Sequence, residues 1–328
     1  MLEATTPSMR ILKIVLLIGG LVLLGVLVHR VGTTAILQTL GRLTWWQFVI
    51  VCLPYAGIMA VDTLGWRFAF TRDRAPFWRL YHARLIGEGL NIVTAVGSVG
   101  GEAAKAWLVR KDVSYEESVP SVVIAKTTIT IAQALFLCIG IALAWAAFDV
   151  GSEVLRGMLW LLVVEVLAVA GFVGAQVSGL VARGGRLLKA FGVVNDVSSA
   201  QRLDAALRDY YRKEWRRFGL SVGFHLAGWL LGSLEAFIML HALGIDVSVL
   251  TATAIEAFGS GVRFATFLVP ASLGAFEGAN AAAFGALGYG ASAGLAFSFV
   301  RRARQATWVV VGMLLLVPSV LSRDARPR

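Results

Sequence analysis

Charge-free runs constrain this chain more than any other feature of it. Between Lys13 and His29 lies IVLLIGGLVLLGVLV, without one polar side chain. A charged group at a bilayer centre costs about 2.5 to 3.5 kcal/mol on insertion scales, so the gaps between charges map the spans. With Ile11 and Leu12 this first run is long enough to cross if Lys13 snorkels to the interface. A signal peptide has a similar apolar stretch, but no A-x-A-like cleavage site follows and further spans do, so an uncleaved first helix is expected. Five more spans are expected at 43–70, 119–148, 157–182, 218–243 and 305–321. Trp45 and Trp46 at one end of the second, with Trp66 toward the other, make an aromatic belt.

Composition agrees with a polytopic membrane chain. Of the residues, 58% are hydrophobic and 15% charged, and the mean hydropathy is +0.75. Soluble domains sit near 45 to 50% apolar and about 25% charged. A soluble enzyme, a nucleic-acid-binding domain and a disordered chain are thereby excluded. The net charge of +10 points to topology, not to nucleic acid. Cys52 and Cys138 both fall in apolar runs, with neither metal-site spacing nor the setting of a structural disulfide.

Two apolar stretches are interrupted. Residues 85–108, LIGEGLNIVTAVGSVGGEAAKAWL, carry five glycines and two glutamates. Residues 251–300 carry Pro270, eight glycines, Glu256, Arg263 and Glu277. Glycine and proline free backbone groups that lipid cannot satisfy, so both stretches are expected to be re-entrant or discontinuous helices buried in protein or lining a cavity. Three crossings separate them, which places their entrances on opposite sides and predicts an inverted pair whose tips meet near the midplane. The expected fold is thus all-α, a single domain over 1–328 with about six full spans, two broken segments and an inverted repeat.

Orientation follows from the basic residues. With both termini cytoplasmic, 21 fall inside, six outside and three at membrane depth. The six are Arg30, Arg42, Arg156 and the cluster Arg301, Arg302 and Arg304, placed in a loop before the last span or inside a long last helix. Localisation in the cell inner membrane is expected. The polar stretch 183–217 repeats Leu203, Leu207, Tyr211 and Trp215 every four residues, with Arg202, Arg208, Arg212, Lys213 and Arg216 on other faces. That is either an amphipathic helix on anionic lipid headgroups at the cytoplasmic face or a basic loop that only enforces topology.

Ionisable residues inside a membrane are functional candidates by default. In the first broken segment Gly100 and Gly101 precede Glu102, and Lys105 lies three residues further on the same helical face, with Glu88 and Asn91 upstream. These read as a half-helix end lining a polar cavity for a headgroup, or as a self-neutralised pair that anchors a turn. In the second, Arg263 is the best single candidate for a headgroup contact, since a guanidinium matches phosphate or carboxylate oxygens with two prongs. Its alternative is a structural ion pair with Glu256 or Glu277. Lys126, Asp62, Glu165, Glu235 and His225 are weaker candidates for a polar path. The cavity lining is therefore expected to comprise Glu88, Asn91, Glu102, Lys105, Lys126, Glu256, Arg263, Pro270 and Glu277. No metal-ligand, triad, phosphate-loop or dinucleotide pattern occurs, so no cofactor and no metal is expected.

At these residues the sequence resembles the integral-membrane domain of lysylphosphatidylglycerol synthases and their stand-alone flippase-like relatives. The resemblance rests on the glycine-glycine-glutamate turn with a following base (Gly100, Gly101, Glu102, Lys105) and the late proline-glycine-glutamate segment (Pro270, Gly274, Glu277). The runs IAKTTITIAQALF and RRARQATW are similar to a subset associated with hopanoid biosynthesis. The resemblance implies movement of an amphiphilic lipid between leaflets. No soluble aminoacyltransferase segment follows the last span, so synthase activity is not expected to carry over. The rivals are an integral-membrane enzyme of hopanoid or glycolipid biosynthesis and a non-catalytic scaffold. A membrane lipid is the expected partner, with lipid-biosynthesis enzymes as further ones and no nucleic acid.

Overall fold

The computed structural model describes residues 7–72, 75–93, 99–147, 153–179 and 198–324. Residues 183–197 of the basic stretch, residues 94–98 of the first broken segment, and Arg74, Arg326 and Arg328 of the orientation count lie outside the described residues. Among those described, the fold is all-helical. Four helices are long and apolar enough to cross a membrane: α3 (Trp45–Phe68), α6 (Tyr115–Ala147), α7 (Glu153–Val177) and α9 (Trp215–Ala242). They coincide with the second to fifth expected spans. The first run forms α1 (Pro7–Val31), followed by α2 (Thr33–Leu40). The two helices meet at an 87° bend, and the pair makes a fifth candidate span. Gly32 at the bend has φ 91°, a conformation glycine takes without a steric cost. Leu167, Trp160 and Val22 stand outward, at 68%, 71% and 60% exposure, where lipid rather than protein is their solvent.

The last helix corrects one reading. Arg301, Arg302 and Arg304 are not in an external loop but in the middle of the 34-residue α12 (Ala291–Asp324). No glycine or proline occurs between Leu295 and Gly312, so nothing in the sequence ends a helix there. Arg84 and Lys105, counted as cytoplasmic, are likewise buried in protein, at 5% and 4% exposure.

Both broken segments are helical hairpins. α4 (Phe77–Val93) and α5 (Val99–Leu108) run antiparallel, with Gly101 so close to Gly87 that a side chain there would overlap the Gly87 carbonyl oxygen. α10 (Val249–Ala265) and α11 (Ala275–Ala286) form the second hairpin, joined through a 3-10 turn at Pro270–Ser272. Each of these helices is shorter than the roughly 20 residues a span requires. Ser248 opens α10 by accepting from the Thr251 amide at 3.0 Å, and Glu277 opens α11 by accepting from the Gly274 amide at 2.7 Å.

The order helix, hairpin, helix therefore occurs twice: α3, α4–α5, α6, and then α9, α10–α11, α12. The halves run in opposite directions. α3 lies antiparallel on α9, with Ser221 donating to the Gly65 carbonyl at 2.8 Å and Arg217 to the Phe70 carbonyl at 2.7 Å. Each half's last helix packs on the other half's hairpin through a small residue, Gly140 of α6 on Ala257 and Gly312 of α12 on the Leu85 carbonyl. Along α12 the hairpins lie head to head. Asn280 and Glu277 of α11 bond Ser298 and Arg302, after which Ile92, Gly89 and Leu85 of α4 follow against Gln305, Val309 and Gly312. The C-terminal end of α4 and the N-terminal end of α11 thus approach each other where α12 passes residues 302 to 305.

The amphipathic stretch also departs from expectation. It forms α8 (Ser198–Lys213), and Trp215 belongs to the next helix. Leu207 and Tyr210 are each 1% exposed, buried in the core shared with α3 and α6, and Tyr210 donates to the Phe68 carbonyl at 2.7 Å. The apolar face is thus consumed by the protein and is not left for a leaflet. Arg202, Arg208, Arg212, Lys213 and Arg216 stay exposed.

Candidate functional site

Two ionic networks occupy the hairpins. The first begins at His225 of α9, whose Nδ1 lies 2.8 Å from Asp62 of α3. Asp62 in turn accepts from Arg84 of α4 at 2.9 Å. On the same hairpin Lys105 bridges Glu88 at 2.9 Å and Glu102 at 3.0 Å. Asn91 closes the chain, accepting from the Gly101 amide at 2.9 Å and donating to Glu102 at 3.3 Å. Of Glu88, Asn91, Glu102 and Lys105, all four expected lining residues share this network. Three carboxylates, Asp62, Glu88 and Glu102, meet two cations, Arg84 and Lys105, beside the imidazole of His225. Glu88 and Glu102 are the accessible members, with side chains 30% and 22% exposed.

The second network has the opposite balance. Glu256 of α10 accepts from Arg263 at 3.1 Å and from Arg301 at 2.8 Å. Glu235 of α9 accepts from Arg304 at 2.9 Å, and Glu277 of α11 from Arg302 at 2.7 Å. Four guanidiniums face three carboxylates, one cation over. Arg301 and Arg304 are buried, whereas Arg263 and Arg302 are 31% and 23% exposed and both lie over the ring of Phe276, at 5.0 and 5.8 Å. Nη1 of Arg263 and Nη2 of Arg302 are buried without a hydrogen-bond partner among the described residues. Beside them the hairpin tip carries Phe267 and Leu268, 70% and 62% exposed.

Tyr55 of α3 stands between the networks. Arg304 of the second stacks on its ring at 4.4 Å. The same ring borders a cleft lined by Glu88 of the first, with Leu85, Ile92, Gln305 and Trp308. This cleft has room for little more than a water molecule. In the described conformation α4 and α12 are thus closely packed around it.

Several readings are refined. Glu277 pairs with Arg302, not with Arg263, because α11 lies antiparallel on α12 and presents Glu277 to it. Pro270 opens the turn at the second tip, where Ala271 and Ser272 both take φ 52° and the Ala271 carbonyl accepts from Arg302 at 2.6 Å. Lys126 is exposed on α6, and its side chain forms no ion pair with a described residue. The arginine cluster of α12 and Arg84 were absent from the expected lining. Their sequence signal was the charge itself, inside helices that nothing interrupts.

An opposed pair of hairpins, each with a glycine before an N-terminal glutamate, completes the arrangement on which the resemblance rested. Residues 10–313 match the lysylphosphatidylglycerol synthase TM region family. The chain belongs to this family. Membership associates it with membrane lipids and agrees with the several apolar helices. No curated protein and no solved structure matches the chain.

Proposed function

We propose that this protein moves an amphiphilic lipid, of hopanoid, isoprenoid or phospholipid type, between membrane leaflets. The observation that carries this reading is the head-to-head meeting of two hairpins, entering from opposite ends of α12, each holding a charged network at its tip. In transporters, discontinuous helices at such a junction offer polar groups to a substrate, and rocking one half against the other opens either side. The headgroup passes between Glu88, Asn91, Glu102 and Lys105 on one tip and Glu256, Arg263 and Glu277 on the other, while the tails stay in lipid along Phe267 and Leu268. Arg263 and Arg302 are the partly exposed guanidiniums beside that passage, and Lys126 adds a cation at its edge. Cytoplasmic termini in an inner membrane complete the reading, with the basic face of α8 on anionic headgroups.

A lipid-modifying enzyme is the second reading, and it is the synthase in the family's name that favours it. One experiment separates the two. Purified protein is reconstituted in vesicles carrying tail-labelled lipids in the outer leaflet, and reagent-accessible label is followed while mass spectrometry follows the lipid's mass. Loss of accessible label with unchanged mass supports transport. A changed mass, or no movement with any of the three lipid classes, overturns it.

A further inference from the structure

Glu165 is the carboxyl group that neither network uses. It sits at the middle of α7, the crossing that links the two halves, and it is 0% exposed. Both of its oxygens are buried without a hydrogen-bond partner. Asp62, Glu88, Glu102, Glu235, Glu256 and Glu277 all have a basic partner within 3.1 Å. Glu165 has none.

Its surroundings follow from register. Gly157 packs on Phe258 and Leu161 on Gly261, so α7 runs parallel to α10. One turn on, Glu165 comes level with the end of α10 at Ala265, where the second hairpin turns. Leu161 and Leu162, on the same stripe, pack in an apolar cluster with Phe136, Leu137 and Phe258. The titratable groups named on the helices against α7 are paired elsewhere or exposed. On α10, Glu256 and Arg263 pair with each other, and on α11 Glu277 pairs with Arg302. On α6, Lys126 is exposed, and Glu116 pairs with Arg202 of α8. Tyr211 of α8 donates to Gln176, three turns beyond Glu165, and Asp209 pairs with Lys213 while Arg208 is exposed. Asp204, also on α8, lies beside Gly179 past the end of α7.

An ionised carboxylate with no partner in such a place costs far more than giving up its charge. Among the described residues no group of three or more His, Cys, Asp or Glu side chains could hold a metal ion there. We propose that Glu165 binds a proton and that movement of the second hairpin away from α7 exposes and releases it, coupling lipid movement to a proton gradient. This rests on the transport reading for its consequence but not for its chemistry. In one step the O–H bond of the acid breaks and the proton passes to water; in the return step the carboxylate takes a proton from the opposite side.

Two measurements test it. Infrared difference spectra of wild type against Glu165→Gln in nanodiscs at neutral pH should show the carbonyl stretch of one un-ionised acid, and Glu165→Gln should melt at the wild-type temperature. Absence of that band overturns the proposal whatever the transport result. In vesicles of phosphatidylcholine with tail-labelled phosphatidylglycerol, one pH unit across the membrane should shift the steady-state leaflet ratio about ten-fold for one proton. Glu165→Gln should equilibrate the lipid without responding to the gradient, and Glu165→Asp should respond. Wild-type movement indifferent to the gradient defeats the coupling while transport stands. If neither protein moves the lipid, the transport reading fails and the infrared band alone decides the proton site.

Discussion

Arg84 and Asp62 lie 2.9 Å apart between α4 and α3, with side chains 6% and 8% exposed. The pair joins the first hairpin to the helix against which α9 is stacked. Removing one partner leaves an uncompensated buried charge, so Arg84→Ala should cost about 3 to 5 kcal/mol. Replacing both, as Asp62→Asn with Arg84→Met, keeps an acceptor for His225 Nδ1 and should recover part of that loss. Thermal melting in detergent checks it, and equal melting of the single and double variants would contradict the pairing.

A second prediction concerns the networks' accessible members. Glu102→Gln and Arg263→Ala each remove a charge at a hairpin tip but leave Lys105 with Glu88 and Glu256 with Arg301. Lipid movement should fall at least about ten-fold, the worth of a charge-assisted hydrogen bond. Expression and melting should hold. If protein level dropped in proportion to activity, these residues would be structural ion pairs.

Backbone contact in the first hairpin gives a third. A Cβ on Gly101 has no room beside the Gly87 carbonyl and Asn91. Gly101→Ala should therefore destabilise by about 1 to 3 kcal/mol and splay α4 from α5. Gly171→Ala, with open space around it, is the control. Melting curves of the two variants should separate, and coincident curves would mean the hairpin is looser than described.

Topology is the fourth. On a background lacking Cys52 and Cys138, Ser199→Cys should resist an impermeant thiol reagent in intact cells, whereas Glu153→Cys, whose native side chain is 79% exposed, should react. Labelling of Ser199→Cys from outside would reverse the orientation.

The narrow cleft supplies the fifth. Ile92 and Gln305 line it from α4 and α12. Joining cysteines at these positions with a bifunctional maleimide should stop lipid movement, while a cross-link between exposed Arg212 and Arg216 positions should not. Undiminished movement in the joined protein would remove the need for the hairpin to part from α12.

Charge spacing determined the four long spans, and glycine and proline determined where the two hairpins break. The cost of a charge or a free backbone group in lipid acts residue by residue and leaves its mark in order along the sequence. Gly100, Gly101, Pro270 and Gly274 announced the hairpins, and the parity of three intervening crossings announced their opposition. Partner choice is not written that way. Glu277 meets Arg302 and not Arg263 because α11 lies against α12, and Arg84 reaches Asp62 because α3 passes beside α4. The periodic apolar face of α8 looked the same whether it was to meet lipid or the core of α3 and α6, since both are apolar solvents for Leu207 and Tyr210. Only packing separates a buried arginine from a loop arginine at 301 to 304. A guanidinium tolerates membrane depth when a carboxylate from another helix is waiting for it, and that carboxylate lies 25 to 69 residues away in the chain.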